Sequence, residues 1–234
     1  MDSVSMRIIA RMKSDFPDKF GIPRQSGLVD DLQSTIIFEP EYRNADALRG
    51  LEDFSHLWII WQFSKAVRDA WSPTVRPPRL GGNTRMGVFA TRSPFRPNEI
   101  GLSSVKIIGI EQTDKFGPVV HVAGADLMDG TPIFDIKPYI PYCDCHFDAT
   151  GGFTTAAGAY LLEVSDPHNL LNSLPEHKRK GLIGVLTHDP RPSYQEDSDR
   201  IYGLNFADFN VRFLIKENIL TIVEISQSSQ EEKT

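Results

Sequence analysis

Residues 102–140 read LSSVKIIGIEQTDKFGPVVHVAGADLMDGTPIFDIKPYI, and this segment holds three runs rich in β-branched and aromatic residues. The runs cover 102–112, 118–127 and 131–140, and the turn-forming residues TDKFG and MDG separate them. Strand-forming runs joined by such short connections are typical of antiparallel hairpins. The segment therefore predicts three consecutive antiparallel strands.

The residues before this segment add further strands and almost no helix. We predict strands over 4–11, 34–42 and 55–64, with a shorter one possible at 86–91, and a short helix at 45–54. A parallel sheet would need a helix of some length between successive strands, and the sequence does not provide these helices. The pattern indicates a mainly β protein whose first part is an antiparallel sandwich or barrel.

The composition changes near residue 145, where the chain becomes small, polar and glycine-rich. We predict a first domain over 1–145, a linker over 146–157, a small α+β domain over 158–225 and a disordered tail over 226–234. Two helical segments, DPHNLLNSL and PEHKRKGLIGVLTHD, precede closing strands with a turn at Glu217–Asn218.

The formal net charge of −6 argues at first against a nucleic-acid partner, because nucleic-acid-binding domains tend to be basic. The charge is unevenly spread, however. Residues 70–98 contain no Asp or Glu and five arginines, namely Arg76, Arg79, Arg85, Arg92 and Arg96. Arginine meets phosphates and carboxylates in a bidentate fork, so this loop predicts an anion-binding surface without identifying the anion.

Several common kinds of site have no support in the sequence. It contains no G-x-G-x-x-G, P-loop, G-x-S-x-G or H-E-x-x-H motif. Cys143 and Cys145, with the adjacent His146, lack further ligands at zinc spacing, so we expect no metal site. No run approaches the roughly 20 apolar residues that span a bilayer, and the N-terminus lacks a signal-peptide pattern, so we expect a cytoplasmic protein without a membrane partner.

Five strings in the sequence resemble the TsaA-like family, the tRNA methyltransferase O group. They are KFGIPRQSGL, LRGLEDFSHLWII, RPPRLGG, MGVFATRSPFRPNEIGLS and ADLMDGTPIFDIKPYIPY, and the later DPRPSY and DFNVRF resemble the C-terminal domain of its bacterial members. The resemblance implies a homodimeric S-adenosylmethionine-dependent methyltransferase whose cofactor-binding domain is a small antiparallel β-barrel. It also implies the reaction: methylation of N6 of N6-threonylcarbamoyladenosine at tRNA position 37, beside the anticodon of threonine tRNA.

The resemblance also implies the cofactor-binding residues, by motif match. They are Pro23, Arg24, Gln25, His56, Leu57, Arg92, Leu102, Asp126, Leu127, Met128 and Asp129. The substrate nitrogen must lose a proton, so a nearby base would help. We take Asp129 as the candidate catalytic base, with Asp135 and His56 as alternatives.

The tRNA would bind through cations and aromatic rings. The candidate tRNA-binding residues are Arg76, Arg79, Arg85, Arg96, Arg191, Tyr194 and Arg212, and Phe95, Phe209 or Tyr194 could stack on unpaired bases. Two other functions remain open at this point: a non-catalytic RNA- or nucleotide-binding module, and a methyltransferase for another anionic small molecule.

Overall fold

The computed structural model describes residues 3–68, 70–77, 80, 84–155, 160–191 and 197–228. Its first part contains eight strands: β1 Ala10–Lys13, β2 Gln33–Phe38, β3 His56–Gln62, β4 Thr74–Val75, β5 Met86–Gly87, β6 Ile100–Thr113, β7 Gly117–Ala123 and β8 Pro132–Pro138. Strands β4 and β5 form a separate two-stranded ribbon.

The other six strands form a closed antiparallel barrel in the order β1-β2-β7-β6-β3-β8. Pairing of β1 with β8 closes the ring, which confirms the predicted barrel. Alternation explains the core, because every second residue of a strand faces inward. In β3, for example, Leu57, Ile59 and Trp61 are buried, while the residues between them are only partly covered.

The second part of the chain is a small α+β domain, as predicted. It contains β9 Glu163–Ser165, β10 Tyr202–Phe206, β11 Phe209–Lys216 and β12 Ile219–Gln227. The α-helices found among the described residues are α1 Pro141–Asp144, just after the barrel, and α2 Glu176–Thr187. The sheet order is β10-β11-β12-β9, and β9 lies parallel to β12. Ser226 and Gln227 pair with β11, so the last strand extends into the segment predicted to be a disordered tail.

Some predicted elements differ in the structure. The helix predicted at 45–54 is two 3-10 turns, Ala45–Leu48 and Leu51–Asp53, because Gly50 between them has a φ of 87° that ends the first turn. The predicted helix DPHNLLNSL is likewise only a 3-10 turn, Leu170–Ser173. The first strand begins at Ala10 rather than at residue 4, since only residues 10–13 find partners in β2 and β8.

The barrel and the C-terminal domain have separate hydrophobic cores, and the segment between β1 and β2 joins the second of them. Phe16, Val29 and Leu32 follow β1 in the sequence, yet they pack into the cluster formed by α2 and the C-terminal sheet. An ion pair of 2.6 Å between Lys178 of α2 and Asp15 reinforces this contact. The loop between Phe16 and Val29 is thereby anchored at both ends. The domain limits predicted from the sequence stay predictions.

Candidate functional site

The loop that contains Pro23, Arg24 and Gln25 lies against the end of the barrel. Pro23 is buried, and the N–H of Gly27 donates to the carbonyl oxygen of Gly124, which follows β7, over 2.9 Å. This bond places Arg24 and Gln25 near the segment that contains Asp126. The sequence interval between the two segments is about one hundred residues, and only the closed barrel brings them together.

Hydrogen bonds join three separate loops around this position. Nη1 of Arg92 donates to Oε1 of Gln25, and Nε2 of Gln25 donates to the carbonyl oxygen of Arg24. Nη2 of Arg24 donates to the carbonyl oxygen of Arg191 over 3.2 Å. The three predicted cofactor residues Arg24, Gln25 and Arg92 are therefore held in one cluster, and the connection to Arg191 extends it to the second domain.

Beneath this cluster, Asp126 belongs to a hydrogen-bond chain that reaches into the barrel. The Ser103 hydroxyl donates to Oδ1 of Asp126 over 2.6 Å, and Nε1 of Trp61 donates to the Ser103 hydroxyl over 3.0 Å. Burial raises the pKa of the Asp126 carboxyl, while the Ser103 hydroxyl, backbone N–H groups and the Arg92 guanidinium act to lower that pKa. The site thus places a carboxylate with a raised pKa close enough to the Arg92 guanidinium for the two charges to interact.

Replacing Asp126 with asparagine should change how stability depends on pH. Because the folded-state pKa of Asp126 lies above its ordinary value, the folded protein binds more protons than the unfolded chain between those two pKa values. This carboxyl therefore lowers stability as pH rises through that window. As pH rises above the ordinary pKa of aspartate, about 3.9, we expect the wild type to lose stability relative to Asp126→Asn. Denaturant unfolding across pH checks this, and a difference independent of pH would contradict it.

Arg24, Gln25 and Arg92 line a wide cleft of about 2230 Å³. Pockets for single small ligands are usually about 300–1,000 Å³, so this one has room for more than one small molecule. Among the described residues that line it, eight are basic and only Glu99 is acidic. The basic ones are Lys19, Arg24, Arg68, Arg76, Arg85, Arg92, Arg96 and Arg191. The cleft therefore suits a large anionic ligand.

Other predicted cofactor residues lie away from this cleft. Leu57 and Leu127 are fully buried in the barrel core. His56 begins β3, where its ring bonds the Ser55 hydroxyl and lies 6.2 Å from the ring of Tyr139. Leu102 points outward from β6 and is 57% exposed. Within a single chain, the side chains of these four residues therefore do not join the cluster around Arg92.

Two more of the predicted cofactor residues, Met128 and Asp129, also lie outside the residues that line the cleft. Met128 is half-buried. The Asp129 carboxylate accepts hydrogen bonds from the backbone N–H of Ser14 over 2.9 Å and from Nζ of Lys13 over 3.3 Å. These bonds fix the turn after β1, and they give Asp129 a structural role in this chain.

The carboxylate of Asp135, the alternative base, is likewise engaged by groups of the protein. Its carboxylate pairs with Lys137 over 2.8 Å and accepts from the N–H of Ile136 over 3.0 Å. Neither Asp129 nor Asp135 therefore gains support as a proton acceptor from the geometry of the cleft. Asp126 is the predicted site carboxylate that is linked electrostatically to the cluster, because the Arg92 guanidinium acts to lower its pKa.

The predicted tRNA-binding residues divide into three groups. Arg76, Arg85, Arg96 and Arg191 line the cleft, and Arg76 and Arg85 are exposed. Arg212 instead pairs with Glu224 on the C-terminal sheet over 2.8 Å. Arg79 and Tyr194 lie outside the described residues.

Arg96 and Arg191 each donate more than one hydrogen bond to other groups of the protein. Arg96 donates to the carbonyl oxygens of Val88 and Thr91, over 3.3 and 2.7 Å, so it shapes the loop. Arg191 is bonded to both carboxylate oxygens of Asp189 over 2.9 Å, and the pKa of its guanidinium is raised chiefly by this hydrogen bonding. Arg85 makes a weaker bond, donating to the Thr74 hydroxyl over 3.3 Å, and both Arg76 and Arg85 are exposed, so these two are the better candidates for direct contact with an anion.

The predicted stacking residues are also engaged. The Arg68 guanidinium lies 3.5 Å from the ring centroid of Phe95, which is half-buried in the cleft wall. Phe209 packs against the core of the C-terminal domain. Sequence reasoning missed Arg68, Ser103 and Trp61. One feature of the sequence could have indicated Ser103 and Trp61: a serine stands at an inward position of β6, and the neighbouring strand β3 contains tryptophan.

Family models match both parts of the chain. The model described as tRNA-methyltransferase O N-terminal domain matches residues 11–145, and the one described as TrmO C-terminal domain matches residues 153–228. The protein is thus of the class of tRNA methyltransferases that combine a small β-barrel with an α+β domain. More specifically, the chain belongs to the tRNA-methyltransferase O family.

Individual relatives agree with this assignment over nearly the whole length. The chain is 40% identical to the tRNA (adenine(37)-N6)-methyltransferase of Escherichia coli K12, covering 93% of this chain and 95% of the relative. It is 38% identical to a putative S-adenosylmethionine-dependent methyltransferase, RcsF, of Pseudomonas aeruginosa, covering 89% and 91%. The crystal structure of TrmO from Pseudomonas aeruginosa superposes with a TM-score of 0.79 at 30% identity, covering 97% of this chain and 99% of that one. No helix among the described residues is long and apolar enough to cross a membrane.

Proposed function

We propose that this protein transfers the methyl group of S-adenosylmethionine to N6 of adenosine 37 of a tRNA, and that this nucleoside is the N6-threonylcarbamoyl form in threonine tRNA. The observation that carries the proposal is the cluster of Arg24, Gln25 and Arg92 over Asp126, at the edge of a cleft with eight basic side chains. Membership of the tRNA-methyltransferase O family and the similarity to the tRNA (adenine(37)-N6)-methyltransferase of Escherichia coli support the same reaction.

The residues of the cluster fit the cofactor's chemistry. S-adenosylmethionine supplies an already activated methyl group, so the protein's contribution is binding, alignment and electrostatics. The guanidinium groups of Arg24 and Arg92 suit the cofactor's carboxylate, and the Asp126 carboxylate suits its positive charge. Alignment for in-line displacement is the largest contribution we expect from the protein.

The substrate also fits the cleft. A threonylcarbamoyl group adds a carboxylate to the adenosine, and the anticodon stem adds a row of phosphates. Arg76 and Arg85 are exposed in the cleft wall, where they can pair with such anions. A volume of about 2230 Å³ leaves room for a nucleotide beside the cofactor.

The proposal includes a homodimer acting in the cytoplasm. Leu102 and the neighbouring Ile100 and Ile108 are exposed apolar side chains of β6. Leu102 is also a cofactor residue by motif match that this chain leaves outside the cleft, and a second copy would cover it and complete the site. A mass in solution of one chain, 26.3 kDa, under assay conditions would contradict the dimer.

The decisive experiment offers the protein labelled S-adenosylmethionine and threonine tRNA, with and without the threonylcarbamoyl group. We expect methyl incorporation only into the tRNA that carries the group. Failure to bind the cofactor and failure to methylate tRNA would together favour a non-catalytic binding module. Transfer to a free nucleoside or metabolite, but never to tRNA, would favour a small-molecule methyltransferase.

A further inference from the structure

Two aromatic side chains of the cleft are unusually exposed. Trp71 is 52% exposed and Phe89 is 70% exposed. Their ring centroids lie 6.1 Å apart, and their planes are tilted by 32°. Neither residue contributes to the barrel core or to the C-terminal core.

The β4–β5 ribbon brings these rings side by side. Thr74 pairs with Gly87, and the N–H of Val88 donates to the carbonyl oxygen of Pro73 over 2.9 Å, which continues the pairing toward Trp71 and Phe89. Backbone hydrogen bonds of the ribbon, and not packing in a core, therefore make Trp71 and Phe89 neighbours.

Arg96 fixes the position of Phe89 from the other side. Its guanidinium donates to the carbonyl oxygens of Val88, the first residue of the 3-10 turn Val88–Ala90, and of Thr91, the residue after that turn. The guanidinium also lies 5.8 Å from the centroid of the Phe89 ring. The exposed ring is thus held on a braced turn. A braced aromatic surface needs less ordering when a ligand binds.

The charges around the rings indicate the kind of ligand. Among the described residues, the pair is not part of a large contiguous apolar patch of the kind that marks a protein-binding surface; it lies in a cleft wall with Arg76 and Arg85 exposed nearby. Unpaired nucleotides combine a flat base, which stacks on aromatic rings, with a phosphate, which pairs with arginine. A single-stranded loop of RNA fits both properties.

We propose that Trp71 and Phe89 form a stacking surface for an unpaired base of the tRNA anticodon loop. This stacking surface holds the loop while the neighbouring adenosine enters the cleft beside Arg92. The inference rests on the proposed function and adds to it the side chains that recognise the loop. Trp71 and Phe89 take the stacking role that the sequence suggested for Phe95 and Phe209. The ring of Phe95 is covered by Arg68, and the ring of Phe209 packs against the core of the C-terminal domain.

The test compares two RNA hairpins that share the anticodon stem of threonine tRNA. One carries the natural loop, and the other carries abasic residues in the loop, so that only the phosphates remain. We expect the double variant Trp71→Ala/Phe89→Ala to bind the natural hairpin roughly 10- to 100-fold more weakly than wild type. Its affinity for the abasic hairpin and for S-adenosylmethionine should match wild type.

Phe147→Ala is the matched control, because Phe147 is exposed and does not line the cleft. It should bind both hairpins as wild type does, and Trp71→Phe should retain most of the affinity that Trp71→Ala loses. The thermal midpoint of each variant reports whether it is folded.

The stacking surface would be overturned if the double variant lost affinity equally for both hairpins, or if it lost affinity for neither. If wild-type protein methylates no tRNA but still prefers the natural loop, and the double variant does not, the stacking surface stands while the proposed function fails.

Discussion

Replacing Arg92 with alanine is expected to weaken binding of S-adenosylmethionine roughly 10- to 100-fold without unfolding the protein. The guanidinium is exposed, donates to Gln25 and lies close enough to Asp126 to act on its pKa. If Arg92 binds the cofactor's carboxylate as proposed, its loss removes a charge-assisted hydrogen bond worth about 1.5–3 kcal/mol. It also removes the donor to Oε1 of Gln25. Isothermal titration with the cofactor measures the affinity, and kcat/KM with tRNA should fall at least as far.

Arg49→Ala is the matched control for this variant. Arg49 is an equally exposed arginine of the barrel domain, but it pairs with Asp46 and does not line the cleft. It should bind the cofactor with wild-type affinity, whereas Arg92→Lys should recover part of the loss because it restores the charge but not the fork. If Arg92→Ala binds the cofactor as tightly as wild type, the placement of Arg92 in the site is wrong.

The barrel strands were predictable because their pattern is local. In β3 and β6–β8, alternating or continuous apolar residues between clear turns leave little choice of structure. The helix predicted at 45–54 failed because Gly50 adopts a left-handed conformation that composition alone does not reveal. The first strand was misplaced since its limits depend on partners in β2 and β8, which are distant in sequence.

The site was predictable only in part, and for a similar reason. The resemblance named Arg24, Gln25 and Arg92, and the fold brings them together across 67 residues of sequence. The resemblance could not show that Arg96 and Arg191 make hydrogen bonds within the protein. Their partners are backbone oxygens and a neighbouring aspartate, which no motif reveals. Nor could it show Trp71 beside Phe89, since that contact depends on a two-residue ribbon within a loop rich in proline and glycine.

Replacing Gly101 with alanine is expected to destabilise the protein by about 3 kcal/mol. A Cβ at this inward position of β6 would lie 2.2 Å from Cε2 of Trp61, and three atoms of the indole would be within 2.6 Å. The indole cannot simply move away, because it is buried in the barrel and its Nε1 donates to Ser103. Denaturant unfolding of wild type and variant measures the difference.

Gly109→Ala is the control on the same strand, because a Cβ there meets nothing within 4 Å. A smaller side chain at the partner position should also relieve the clash, so Trp61→Leu should cost less in the Gly101→Ala background than in wild type. Additive costs for the two substitutions would contradict the proposed contact.

The Gly101 substitution should also reach the site. Any shift of Trp61 displaces the Ser103 hydroxyl, which donates to Asp126 over 2.6 Å, and Asp126 lies beside Arg92. We therefore expect folded Gly101→Ala protein to bind S-adenosylmethionine more weakly than Gly109→Ala protein, although neither glycine lines the cleft. Equal affinities in these two variants would mean that the Trp61–Ser103–Asp126 chain supports the barrel alone and does not position the cofactor-binding cluster.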